Sequence, residues 1–185
     1  MEISKTSLEG LLVIKPDVFP DERGYFYESF NSRKFQGNNI ETNFVQDNVS
    51  KSYKGTVRGL HYQVGDKAQG KLCHVLFGKV LDVAVDLRLN SPTFGKYFSV
   101  ELSEDNHLQL WIPVGFAHGF SVLSEMVIFQ YKCTNFYSKD SERAILFSDP
   151  TLNIDWKVSK PIVSTKDLKA KPFQESEKEM FFFSV

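Results

Sequence analysis

The chain has 185 residues, enough for one domain with a single sizeable core. Its 42% hydrophobic and 24% charged content excludes a disordered tail and a membrane-embedded chain. Twenty-two Lys and Arg against 23 Asp and Glu leave a net charge of −1, so nothing in the bulk charge draws nucleic acid or an anionic membrane.

The opening MEISKTSLEG lacks the apolar stretch of a signal peptide, and the run Leu11 to Ile14 is too short to span a bilayer, which points to the cytosol. A short helix is expected at Ser32 to Phe35. From there strand-like runs dominate, at Leu72 to Phe77, Leu81 to Arg88, Tyr97 to Leu102, Gln109 to Ile112, Phe120 to Leu123 and Met126 to Thr134. Turn signals such as Phe77-Gly78-Lys79, Asn90-Ser91-Pro92 and Glu104-Asp105-Asn106 separate them. A last helical turn is expected near Thr165 to Leu168. Many short strands and a 14% aromatic content predict an all-β antiparallel sandwich or barrel spanning residues 1–185. Between Leu81 and Arg88 the odd positions are apolar and the even ones are Asp82, Ala84, Asp86 and Arg88. Such a polar face is more often solvated than turned into a pocket, and periodicity alone does not choose. Cys73 and Cys133, each inside an apolar stretch, read as reduced core residues.

The chemistry-bearing residues are sparse. The histidines are His61, His74, His107 and His118, and a lone histidine is more often structural than catalytic. A barrel metal site wants two histidines at i and i+2, but the position two after His61 is Gln63, so no metal is expected. Phosphate recognition needs local cations, and Arg23, Arg58, Lys71, Arg88 and Lys166 lie near turns or strand ends. No phosphate-binding glycine loop or nucleophile elbow is present, which removes α/β nucleotide folds and serine covalent catalysis. The residues alone reach a β-barrel with a polar pocket.

The ordered segments FPDERGYFYESF, FVQDNVSKS, VRGLHYQ, AQGKL, GKVLDVAVDLR, SPTFGK, QLWIPVGFAHGF, YKCTNFYS and STKD cover nearly the whole chain. Together they resemble the dTDP-4-dehydrorhamnose 3,5-epimerase family. The resemblance implies a cupin jelly-roll barrel with few short helices, a homodimer with exchanged strands, no cofactor and no metal. The implied substrate is a dTDP-linked 4-keto-6-deoxyhexose, whose ketone acidifies the hydrogens on its two neighbouring carbons.

By the same resemblance His61 is the base, Asp167 its charge partner, Tyr131 the proton donor on the opposite face and Lys71 the cation beside the ketone oxygen. Implied ligand contacts are Arg23 and Glu28 from across the dimer, Gln46, Asp47, Asn48, Arg58, His118, Glu142 and Lys166. Tyr137 matches the aromatic that stacks on the thymine, and Phe26 is an apolar wall. The chain departs from the family pattern at His74, Phe136 and Lys157, where Arg, Tyr and Pro are frequent. Two other readings stay open: an epimerase acting at C3 or C5 alone, and a non-catalytic cupin that binds a sugar nucleotide. The apolar tail Met180 to Val185 is expected to pack on the sheet or on a partner subunit.

Overall fold

The computed structural model describes residues 1–38, 40–177 and 180–181. The chain begins with β1 (Glu2–Lys5), β2 (Leu12–Lys15), β3 (Val18–Asp21), β4 (Gly24–Tyr27) and the short helix α1 (Ser32–Gln36). Next come β5 (Gln46–Tyr53), β6 (Thr56–Gln63), β7 (Lys71–Phe77), β8 (Lys79–Asp86), β9 (Tyr97–Ser103), β10 (Gln109–Ile112), β11 (Phe116–Val122) and β12 (Met126–Cys133). The C-terminal part adds β13 (Glu142–Ala144), β14 (Ile162–Val163), α2 (Thr165–Leu168) and α3 (Phe173–Ser176).

Two sheets face each other. One has the order β1-β2-β10-β7-β12-β5; the other runs β13-β6-β11-β8-β9, with β14 added in parallel to β6. A core between them draws Val75, Phe129 and Leu110 from the first sheet and Val80, Ala84, Phe116 and Phe120 from the second. The outer face of the second sheet is covered as well. Leu60, Leu81, Val83 and Val85 pack there against Ile145, Leu152, Trp156 and Phe173. On the first sheet, Ile14, Leu72 and Trp111 are covered by Phe35 and Ile40.

This double coverage decides what period-two patterning left open. In β8 the odd residues Leu81, Val83 and Val85 face the outer cluster, whereas Val80 and Ala84 belong to the inner one. The polar alternates therefore sit inside the molecule: Asp82 and Asp86 are both 0% exposed. A solvated polar face, the commoner outcome, is not what this strand adopts. Asp86 accepts from Arg88 Nε at 2.8 Å, from Ser91 Oγ at 2.7 Å and from Thr93 Oγ1 at 2.7 Å, so its charge is paired where it is buried.

The barrel predicted from the runs is present with different edges. Gln109–Ile112 matches, but the run at Phe120 is part of a strand that starts at Phe116. Every residue of Phe116–Val122 is buried, so no alternation marks where the strand begins. The helix at α1 and the turn at α2 are where they were expected, and α3 is additional. Cys73 and Cys133 are free and buried. In the tail, Met180 and Phe181 pack on the outer cluster, and the Leu89 N–H donates to the Phe181 carbonyl at 2.7 Å. Residues 182–185 lie outside the described residues.

Candidate active site

The site is built on the closest approach of two strands. On β6 and β11, His61 and His118 are direct cross-strand partners. Gly59 sits at φ +126°, and a Cβ there would stand 2.5 Å from the Gly119 Cα. A Cβ at Gly119 would in turn stand 2.7 Å from the Arg58 carbonyl oxygen. Only glycines allow the two backbones to meet this closely, which sets the two histidines side by side.

Each histidine has an acid behind it. His61 Nε2 lies 2.6 Å from Asp167 Oδ1, with the His61 side chain 33% exposed and the Asp167 side chain 5% exposed. Asp167 is placed by a local capping device. Ser164, at the N-cap of α2, accepts the Asp167 backbone N–H on its Oγ at 3.1 Å, which frees the carboxylate to face His61. Burial works to raise the Asp167 carboxyl, but the His61 hydrogen bond and charge, Ser164 and the Gly59 backbone together hold it below the usual carboxylate range. His118 Nε2 makes a 2.5 Å hydrogen bond to Asp82 Oδ1, fully inside the protein. Asp82 carries no sequence signal beyond its place on the polar face of β8.

The other sheet supplies the opposite wall. The side chains of Gln46, Asn48 and Ser50 on β5 point inward by simple alternation, and Tyr131 on β12 lies opposite Asn48. Lys71 begins β7; its Nζ is 3.5 Å from the His61 carbonyl oxygen and 5.8 Å from the centre of the Tyr131 ring. Burial, the largest cause, pushes the Tyr131 phenol up to about 12, so it carries its proton at neutral pH. These side chains enclose a cavity of about 410 Å³, also lined by Arg58, His61, Gln63, Gln69, His118, Tyr137 and Glu142.

Charged groups ring the mouth. Arg58 is exposed, with its Nε donating to Ser52 Oγ at 3.0 Å. Glu142 Oε2 accepts from the Tyr137 hydroxyl at 2.9 Å and pairs with Lys166 Nζ at 2.5 Å. Burial favours the neutral acid at Glu142, yet the Lys166 and Tyr137 hydrogen bonds outweigh it and hold the carboxyl down.

Besides Arg88, a candidate phosphate cation that is buried against Asp86, four of the residues singled out by the family resemblance lie elsewhere in this chain. Asp47 alternates to the outer face of β5 and accepts Lys132 Nζ at 2.8 Å. Arg23 is bound to Asp21, and Glu28 to Lys34 at 2.5 Å. Phe26 is 66% exposed on the β3–β4 hairpin. Ser50, Gln63, Gln69 and the Asp82 partner of His118 are further site residues; the alternation of β5 and β8 groups Ser50 and Asp82 with a polar face without telling which way that face turns, and Gln63 on β6 and Gln69 in the loop before β7 carry no such signal.

Among the described residues, the His/Cys/acid set close enough for a metal is Cys73, Asp82 and His118, whose donor atoms lie within 4.8 Å of one another. Two ligands of a tetrahedral zinc stand about 3.3 Å apart at usual bond lengths. The His118 and Asp82 atoms of that set are closer than that and hydrogen-bond each other directly, at 2.5 Å.

Residues 5–175 match the family model described as dTDP-4-dehydrorhamnose 3,5-epimerase. The chain belongs to that family. A relative of that name from Shigella flexneri is 53% identical over 180 residues, covering 96% of this chain and 98% of the relative. The crystal structure of a 3,5-epimerase from Legionella pneumophila in complex with dTDP-4-keto-L-rhamnose is 47% identical, with a TM-score of 0.95 over 100% of this chain and 99% of that one. A 3'-monoepimerase from Streptomyces bikiniensis, solved with dTDP-quinovose, is 30% identical, with a TM-score of 0.88 over 94% of this chain and 88% of that one. The cupin-type fold is thus shared among members that differ in the number of centres they invert, and the epimerase class is common to all three. No helix among the described residues is long and apolar enough to cross a membrane.

Proposed function

We propose that this chain inverts C3 and C5 of dTDP-4-dehydro-6-deoxy-D-glucose to give dTDP-4-dehydro-L-rhamnose. The observation that carries the reading is the His61–Asp167 pair at 2.6 Å, in one cavity with Tyr131 and Lys71. The substrate's own C4 ketone acidifies the hydrogens at C3 and C5, so the reaction needs a base, a charge stabiliser and a donor rather than a cofactor. His61 takes the proton, and the anionic Asp167 orients the ring and stabilises the imidazolium. Lys71 offsets the charge growing on the enolate oxygen, a contribution of about 3–4 kcal/mol for one well-placed donor. Tyr131, protonated in its buried setting, returns a proton to the other face.

Arg58, with Lys166 and Glu142 at the mouth, faces the pyrophosphate; Tyr137 offers its ring to the thymine. Gln46, Asn48 and His118 contact the ligand from inside the cavity. Arg23, Phe26, Glu28 and Asp47 act away from this chain's own cavity. The β3–β4 hairpin carries Phe19, Tyr25 and Phe26 at 60%, 55% and 66% exposure, a surface suited to entering a second copy. We therefore read the enzyme as a homodimer with exchanged strands, its cupin domain spanning the chain, and place it in the cytosol, where buried free thiols persist.

The test is the stereochemistry of the product. Incubation with dTDP-4-dehydro-6-deoxy-D-glucose and proton NMR of the ring couplings should show both centres inverted. Inversion at one centre would transfer the chain to the mono-epimerase reading, the activity named for the Streptomyces bikiniensis neighbour. Bound but unchanged substrate would leave a binding protein.

A further inference from the structure

Gln63 stands two residues beyond His61 on the same strand and is 4% exposed. Its amide is spent on backbone groups of two mouth loops. Nε2 donates to the Lys67 carbonyl at 2.6 Å and to the Phe136 carbonyl at 3.1 Å, while Oε1 accepts the Ser138 N–H at 2.6 Å. From the facing sheet, Gln46 Oε1 accepts the Tyr137 N–H at 2.8 Å. Three successive residues, 136 to 138, are therefore gripped by two glutamines from different sheets. Tyr137, in the middle, is 54% exposed, so its ring is held by its backbone and by the hydroxyl's bond to Glu142 rather than by packing.

We propose that Gln63 is a positioning residue for ligand affinity: by fixing the 136–138 backbone it sets where the Tyr137 ring stands over the cavity. The side chain must supply two donors and an acceptor at once. Glutamine does; glutamate would accept only and would set a charge against two carbonyls, and methionine would fill the space and make none of the bonds. Because Gln63 also ties down Lys67, both mouth loops are referenced to the strand that carries His61. This rests on the proposed nucleotide-sugar reading in one respect, the use of Tyr137 as the platform for the base.

The experiment is a double-mutant cycle on dTDP binding by titration calorimetry, using wild type, Gln63→Met, Tyr137→Ala and the double variant. Turnover at saturating substrate and thermal melts accompany it. Gln63→Met should weaken dTDP binding about tenfold, with kcat falling by less than about threefold. In the Tyr137→Ala background the same change should cost less than about twofold, because the two act as a unit. Equal effects in both backgrounds would overturn the positioning role. Gln63→Glu repeats the cycle should the methionine variant lose its cooperative melt, and loss of folding in both would make Gln63 a structural residue and end the proposal. A wild-type chain that does not bind dTDP would overturn the nucleotide reading and this inference with it, whereas binding with additive effects would overturn this inference alone.

Discussion

Asp167 reaches His61 because a serine three residues earlier holds its backbone. The segment STKD has the spacing of a helix-capping pair, yet the acid turns away from the cap and hydrogen-bonds His61 at 2.6 Å. That contact joins residues 106 apart in the chain, so no local pattern reveals it; the resemblance to a family did. Asp167→Asn keeps the capped backbone and removes the charge. It should lower kcat by about 10²–10⁴-fold and leave KM nearly unchanged, which steady-state kinetics would read directly. A large rise in KM with kcat retained would instead make Asp167 a binding residue. Tyr131 has a different signature. In Tyr131→Phe the base still removes the proton, so deuterium exchange into the substrate should persist while inversion is lost. Loss of both together would remove Tyr131 from the donor role.

The strands that carry the site were the least legible ones. In β5, Gln46, Asn48 and Ser50 point into the cavity while Asp47, Val49 and Lys51 point out, so neither face is apolar and the hydrophobic pattern is silent. In β11 every residue is buried and alternation vanishes. By contrast β8 and β9 are legible in the sequence because their apolar residues alternate, and β10 because its short apolar run is bounded by the turn signal Glu104-Asp105-Asn106 and by Pro113. What sequence could not show for β8 is that its polar face is inside, since that depends on the cover supplied by Ile145, Leu152 and Trp156. The glycines at the β6–β11 crossing give the sharpest prediction at this scale. Gly59→Ala places a Cβ 2.5 Å from the Gly119 Cα at a φ of +126°, and should cost about 2–4 kcal/mol in urea unfolding. A variant as stable as wild type would show that the two strands can part without loss.

Across the molecule, acid stability is set partly by a residue outside the cavity. His74 on β7 is 4% exposed, its Nδ1 has no hydrogen-bond partner, and it lies between Gln109 and Gln130 on neighbouring strands. Burial, with the Lys132 charge adding and Asp47 opposing, takes it from 6.5 to about 4. The unfolded chain therefore binds this proton first as the pH falls, and stability drops between pH 6.5 and about 4. The loss is roughly 3 kcal/mol, complete once the folded protein is protonated too. His74→Gln should flatten that limb in urea melts taken at pH 4 and pH 7. An unchanged pH dependence would place the acid sensitivity elsewhere.

The central claim is that His61 removes protons from carbons flanking the substrate ketone. The most direct measurement is mass spectrometry of dTDP-4-dehydro-6-deoxy-D-glucose after incubation with the protein in heavy water, beside a His61→Asn variant. Two deuterons with the wild type and none with the variant are expected. Two deuterons with both proteins would show that another group is the base, and none with either would contradict the reaction itself.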